Sequence, residues 1–356
     1  MRLGLTHMGN IYIPIKAIAN QLGVDLIVPP PTSQRTLDLG VKYSPEMVCL
    51  PFKLQLGNML EALELGADTL FMPGGAGPCR FGYYHKVHEL ILRELGYKFH
   101  MVTQDYGIKD MLKYLTNGAS LREIIAVFRF GVAKLKALDE LECMVHKIRA
   151  VERDKGEASR IYKQGIRAID DAADYQSLNR VKREYLQKLT NLPTVTSPAP
   201  LKVGVAGEFF VVLDPFANMD IEAELGKLGV EVRRSIFVRD LVRFNPFVYY
   251  FGLLEKHRSH KAATPYLSRH VGGDGWQSVG EKVLHAGDWD GLVHLEPFGC
   301  LPEITARNIM SSLKDGLPVL NIIYDEHTGK AGMVNRLEAF VDMLYRKKRR
   351  QVKVCV

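Results

Sequence analysis

Twice along this chain, short apolar runs alternate with amphipathic stretches of helical period, the pattern of a parallel sheet covered by helices. In the first series the runs are Leu3 to Thr6, Asp25 to Val28, Asp68 to Met72 and Lys98 to Val102, with helical segments at Pro51 to Leu65 and Tyr83 to Leu95. Pro51 suits the first turn of a helix, where its missing N–H would be unpaired anyway. The second series comprises Lys202 to Ala206, Glu231 to Phe237, Gly291 to Leu295 and Pro318 to Tyr324, and closes on a helix from about Met333 to Arg346. Between the two, from about Tyr106 to Leu192, strand signals vanish and the text becomes helical and charged. A Pro/Ser/Thr-rich linker, Asn191-Leu-Pro-Thr-Val-Thr-Ser-Pro-Ala-Pro, follows. The expected fold is α/β: two Rossmann/flavodoxin-like parallel-sheet units at 1–105 and 200–356, the latter with a basic tail, joined by a helical arm and linker at 106–199.

A chain of 356 residues with 47% hydrophobic and 24% charged residues can bury two full cores, so disulfides are not needed for stability. Five scattered cysteines and an opening of Met-Arg-Leu-Gly-Leu-Thr-His, with no secretory signal, point to a reducing, cytoplasmic setting. Six of the +7 net charge reside in Arg346, Lys347, Lys348, Arg349, Arg350 and Lys353, which leaves the rest of the chain close to neutral. A basic tail of this kind reads as a solvated end, and nucleic acid is not the expected partner. No run approaches the roughly 18 to 20 apolar residues of a membrane span.

Three cysteines share one setting, a Pro/Gly turn between an apolar run and a helical segment. They are Cys49 in Val-Cys-Leu-Pro-Phe-Lys, Cys79 in Gly-Ala-Gly-Pro-Cys-Arg-Phe-Gly and Cys300 in Glu-Pro-Phe-Gly-Cys-Leu-Pro-Glu. Helix N-termini favour the thiolate, and thiolates bind soft metals and iron–sulfur clusters, so depressed thiol pKa values and a three-thiolate site are expected. Cys79 and Cys300 each lie beyond the C-terminal end of a buried run, the edge where open α/β sheets bind ligands, so the site belongs in the cleft between the units. Cys143, beside Met144 and Val145 in a helical pattern, reads as a packing residue, and Cys355 as a free thiol near the end.

The same three motifs resemble the cluster cysteines of the 2-hydroxyacyl-CoA dehydratase and benzoyl-CoA reductase subunit family, in particular its acyl-CoA dehydratase activase-related (CoA protein activase) branch. Val205-Ala-Gly-Glu-Phe-Phe, Tyr324-Asp-Glu-His-Thr-Gly and Asn335-Arg-Leu-Glu-Ala-Phe extend the resemblance over most of both α/β units. It implies a [4Fe-4S] cluster on Cys49, Cys79 and Cys300, with the fourth iron open to water, hydroxide or substrate oxygen. It also implies an oxygen-sensitive, low-potential protein that accepts single electrons from an ATP-hydrolysing iron–sulfur activator. By the same resemblance the chain is the substrate-transforming component of a radical dehydratase (a lyase) or reductase acting on an acyl-CoA, as a homo- or heterodimer. Related proteins build a double-cubane cluster with more cysteines than these three motifs supply.

Two other classes of function stay open: a non-catalytic, cluster-bearing electron carrier or maturation scaffold, and a metal-free α/β protein binding an anionic metabolite. Zinc completed by a nearby histidine is the main alternative metal, although Cys-x-x-Cys pairs are absent. Glu208 is a candidate proton carrier at the cleft, and Asp325 and His327, after the last apolar run, are candidate acid–base groups. Glu326 shares their loop. His7 and Asn10 follow the first run, where they could meet a ligand or simply satisfy backbone. Gly272-Gly-Asp-Gly-Trp lacks the Lys and Ser/Thr of a P-loop and reads as a turn.

Overall fold

Two strands, β5 (Leu201–Gly207) and β7 (Gly291–Pro297), are buried along their whole length except at Lys202. Strands covered on both faces must be apolar throughout, which is why they stand out in the sequence. The computed structural model describes residues 1–74, 79–106, 116–195, 199–234, 236–237, 255–269 and 271–354. Two four-stranded sheets, each parallel throughout, organise it. The first comprises β1 (Arg2–Gly4), β2 (Asp25–Ile27), β3 (Thr69–Phe71) and β4 (His100–Val102) in the order β2-β1-β3-β4. The second sets β5, β6 (Val230–Arg234), β7 and β8 (Val319–Tyr324) in the order β6-β5-β7-β8. Both orders reverse after their first strand, so each sheet has a switch point at the C-terminal ends of its two central strands.

In the first unit, α1 (Tyr12–Gln21), α2 (Gln34–Tyr43), α3 (Leu50–Glu64) and α4 (Tyr84–Glu94) surround the sheet. α3 is the central one. Leu50 to Leu63 are all buried, and its faces divide between two cores. Leu50 and Leu54 join the apolar cluster of the second sheet, whereas Phe52, Leu56, Met59 and Leu60 join that of the first. Gly40 and Gly57 allow α2 and α3 to touch backbone to backbone: a Cβ at Gly57 would stand 1.9 Å from the Thr36 carbonyl oxygen.

Three longer helices follow: α5 (Leu121–Val151), α6 (Glu157–Asp171) and α7 (Tyr175–Thr190). Ser120 and Glu123 close a capping box at the start of α5. These helices lie against both units. Phe130, Leu138 and Leu141 share a core with Ile13 and Ala17 of α1. At the other end, His146 Nε2 is 2.9 Å from Glu222 Oε2, and Arg234 of β6 ion-pairs with both Glu222, at 2.8 Å, and Glu142. Cys143 lies half-buried in α5; Cys355 lies outside the described residues.

The second unit carries α8 (Phe209–Leu213), α9 (Ile221–Lys227), α10 (Glu255–Ala263), α11 (Gly275–Leu284), α12 (Leu301–Ser312) and α13 (Lys330–Val354). α13 runs past Arg346, so the basic residues stand on its last turns, with Arg346, Arg349 and Arg350 exposed. Lys and Arg are good helix formers and suit a helix C-terminus. Lys347 also bonds the Gly316 carbonyl at 2.5 Å, and Lys348 pairs with Asp290 at 3.0 Å. Among the described residues, no helix is long and apolar enough to cross a membrane.

Candidate metal centre

Each of the three motif cysteines is an N-cap. Cys49 precedes α3, Cys300 precedes α12, and Cys79 precedes a 3-10 turn, Arg80–Tyr83, that leads into α4. Pro51 and Pro302 sit in the first turns of α3 and α12, where φ is preset and no N–H is lost. Cys49 and Cys79 come from the first unit and Cys300 from the second, so the site straddles the two.

Arg80 draws the three turns together. Its guanidinium donates to the Met47 carbonyl at 3.1 Å and to the Gly299 carbonyl at 2.9 Å, joining the chain before Cys49 to the chain before Cys300. Met47 and Gly299 both have left-handed backbone, φ +61° and +75°, which bends each turn sharply ahead of its cysteine. Tyr84 hydrogen-bonds to the Cys49 sulfur, and Phe81 packs edge-on against Phe209, 6.3 Å between ring centroids, just beyond Glu208. The glycine-rich turn at 272–275 closes the remaining side: a Cβ at Gly275 would stand 2.5 Å from the Pro302 carbonyl oxygen, so Asp274 is held over the start of α12.

Electrostatics tie the same groups into one pocket. The Cys49 thiol is pushed up to about 11, chiefly by burial and further by Glu208, against the Tyr84 hydroxyl, the Phe52 amide and Arg80, which favour the thiolate. The Cys79 thiol is raised by burial, with Glu208 and Asp274 adding. Cys300 is raised furthest, by burial, then Glu303, Glu208 and Cys49. The depressed values expected at helix N-termini are therefore reversed. First-turn amides do favour the thiolates, but burial beside carboxyl groups outweighs them while no cation is present. A bound metal inverts this balance, because it deprotonates a coordinating thiol outright.

Glu208 follows β5 at the switch point of the second sheet and caps α8, its carboxylate accepting from the Val211 N–H at 3.0 Å. Burial, with Asp274 and Glu303, pushes its pKa up to about 8. Below Cys300, Glu303 is fully buried and accepts from the Ser278 hydroxyl and faces His294 Nε2, both at 2.8 Å. Tyr84 carries no motif in the sequence, whereas Arg80 and Glu303 stand inside the Cys79 and Cys300 motifs and Asp274 inside the turn read as Gly272-Gly-Asp-Gly-Trp. Arg80 directly follows Cys79 and Glu303 lies in the first turn after Cys300, the signal that could have found both; Asp274 reaches the pocket only through tertiary packing.

The other candidates have different settings. Asp325 is used within its own turn, its carboxylate accepting from the Thr328 hydroxyl at 2.7 Å and the His327 N–H at 2.9 Å, while His327 is exposed. Glu326, between them, pairs with the buried Lys53 of α3 at 2.5 Å and so joins the units. His7 bonds through Nε2 to the Pro29 carbonyl at 2.7 Å and through its N–H to Asn58 at 2.8 Å. Asn10 reaches Tyr162 of α6 at 3.3 Å. A second group with metal-binding atoms, Glu142, His146 and Glu222, has no counterpart among the sequence motifs. Arg234 already supplies its positive charge.

No curated protein matches the chain. A family model described as the CoA enzyme activase uncharacterised domain matches residues 7–235, which takes in His7, Cys49, Cys79 and Glu208 and stops short of Cys300. The chain thus belongs to the CoA enzyme activase uncharacterised domain family, within the activase-related branch of the 2-hydroxyacyl-CoA dehydratase family.

Proposed function

We propose that Cys49, Cys79 and Cys300 hold a [4Fe-4S] cluster, and that the chain is the electron-accepting, substrate-transforming component of an ATP-dependent 2-hydroxyacyl-CoA dehydratase or reductase system. The observation that carries this reading is the Arg80 clamp, which gathers three cysteine-capped helix starts from two units into one pocket. The donor set fits the group. Three thiolates around such a cluster leave a charge near −1, which Arg80 and the first-turn amides of α3, α12 and the Cys79 turn offset. Among the described residues, only Glu142, His146 and Glu222 bring three metal-binding atoms within 4.8 Å of one another. At least one pair of the three cysteine sulfurs is therefore more than 4.8 Å apart, beyond the about 3.8 Å that Zn–S bonds of about 2.3 Å set between tetrahedral sulfurs.

When bound, the cluster supplies one-electron transfer together with Lewis acidity at the iron that lacks a cysteine. The chain's own groups supply the rest. Burial keeps Glu208 largely protonated at neutral pH, so its carboxyl can release a proton into the pocket and take one back. The Asp325 carboxylate is committed to its own turn and His327 is exposed, which leaves the buried Glu208 as the better proton carrier. The electron donor is an ATP-hydrolysing iron–sulfur activator, and the substrate an acyl-CoA. Individual replacement of Cys49, Cys79 or Cys300 by alanine abolishes iron binding in anaerobically prepared protein, whereas Cys143→Ala retains it. Retention in any of the first three rejects that ligand.

A second reading, a cluster-bearing electron carrier or maturation scaffold, draws on one observation. Met47, Tyr83, Phe298 and Leu301, each within four residues of a motif cysteine, are exposed apolar side chains suited to protein contact. Conversion of an acyl-CoA under low-potential reduction favours the enzyme; electron or cluster exchange without turnover favours the carrier.

A further inference from the structure

α4 meets the first turn of α3 through two side chains one helical turn apart. Tyr84 sets its hydroxyl on the Cys49 sulfur, and His88 Nε2 lies 3.1 Å from the Phe52 carbonyl oxygen. Both rings pack on Phe52, Tyr84 edge-on at 4.9 Å between centroids and His88 tilted at 4.1 Å. Burial pushes the His88 pKa down to about 3, so the ring is neutral and Nε2 carries the hydrogen it donates to Phe52. Phe52 in turn directs its amide towards Cys49. Tyr84 and His88 are 5% and 0% exposed, so water does not compete for either contact. Among the described residues, Cys79 and Cys300 have no hydroxyl on sulfur comparable to Tyr84 on Cys49.

We propose that Tyr84 is a positioning residue for Cys49: its hydroxyl donates to the sulfur, fixes the orientation of that ligand and tunes the potential of the cluster it holds. The inference rests on the cluster reading above. A thiolate sulfur has no hydrogen to give, so the Tyr84 hydroxyl is the donor in this contact once Cys49 is a ligand. A hydrogen bond to sulfur stabilises the state with more negative charge, and hydrogen bonds of this kind tune cluster potentials. His88 holds α3 at the register this contact needs.

Tyr84→Phe keeps the ring packing and removes only the hydroxyl. The test compares wild-type and Tyr84→Phe protein, both purified anaerobically, by iron and sulfide content and by midpoint potential from an EPR-monitored redox titration. Equal iron with a lower potential in Tyr84→Phe is the expected result. Equal iron with equal potentials overturns the role of Tyr84 and leaves the cluster reading standing. Absence of iron from the wild-type protein overturns the cluster reading and this inference with it.

Discussion

Arg80 donates to the carbonyl of Gly299 across 219 positions of sequence, at 2.9 Å. With its second bond, to Met47, this one side chain spans the two turns that precede Cys49 and Cys300, while standing next to Cys79 itself. An ammonium cannot reproduce a planar fork that meets two carbonyls. Arg80→Lys is therefore expected to lower iron occupancy and to speed alkylation of the cysteines in metal-free protein. Because Arg80 is exposed, the loss of global stability stays near 1 kcal/mol. Iron content and thiol-labelling rates, read beside a denaturant melt, check this.

Gly299 itself has room for a methyl group, since the atoms nearest to a Cβ at this position would be 3.5 Å away. Its φ of +75° is the constraint. Gly299→Ala should cost about 1–2 kcal/mol through backbone strain alone. Unchanged thermal stability would mean that the turn relaxes freely.

The His294–Glu303 pair is fully buried under Cys300, with Nδ1 of His294 3.0 Å from Asn321 on the neighbouring strand. Removing one partner of a buried pair leaves an uncompensated polar group. His294→Ala is expected to destabilise the protein by about 3–5 kcal/mol in a denaturant titration. A loss below about 1 kcal/mol would mean that water enters and replaces the imidazole.

Glu222 gives the protein an acid limit. Burial opposes its charge, but Arg234 and His146 outweigh burial and hold its pKa well below the usual carboxylate range. A carboxylate depressed in the folded state contributes stability that is present above its unfolded pKa, about 4.3, and is lost as pH falls through the folded value. Stability should thus decline below about pH 4.3, and Glu222→Gln should flatten that decline. Equal acid limbs in the two proteins would assign the effect to other carboxylates.

Much of this architecture is legible in the sequence because parallel strands buried on both faces are continuous apolar runs. Gly291 to Leu295 and Lys202 to Ala206 are recognisable for that reason, and β5 and β7 extend them by only one or two residues at an end. The cysteines are recognisable from their shared Pro/Gly turns, which become three N-caps. The electrostatics are not, since helix polarity suggests low thiol pKa values whereas burial beside Glu208, Asp274 and Glu303 decides the sign. Those carboxyl groups converge from the starts of three separate helices, and periodicity does not encode such contacts. The packing of Lys347 and Lys348 escapes a sequence reading because a charged run does not announce its partners, here Gly316 and Asp290.

The most direct test is the iron and acid-labile sulfide content of anaerobically purified protein, taken with its EPR spectrum after reduction. About four irons and four sulfides per chain, with the signal of a reduced cubane, is the predicted result. Zinc in place of iron, or no metal after anaerobic reconstitution, would contradict a cluster held by Cys49, Cys79 and Cys300.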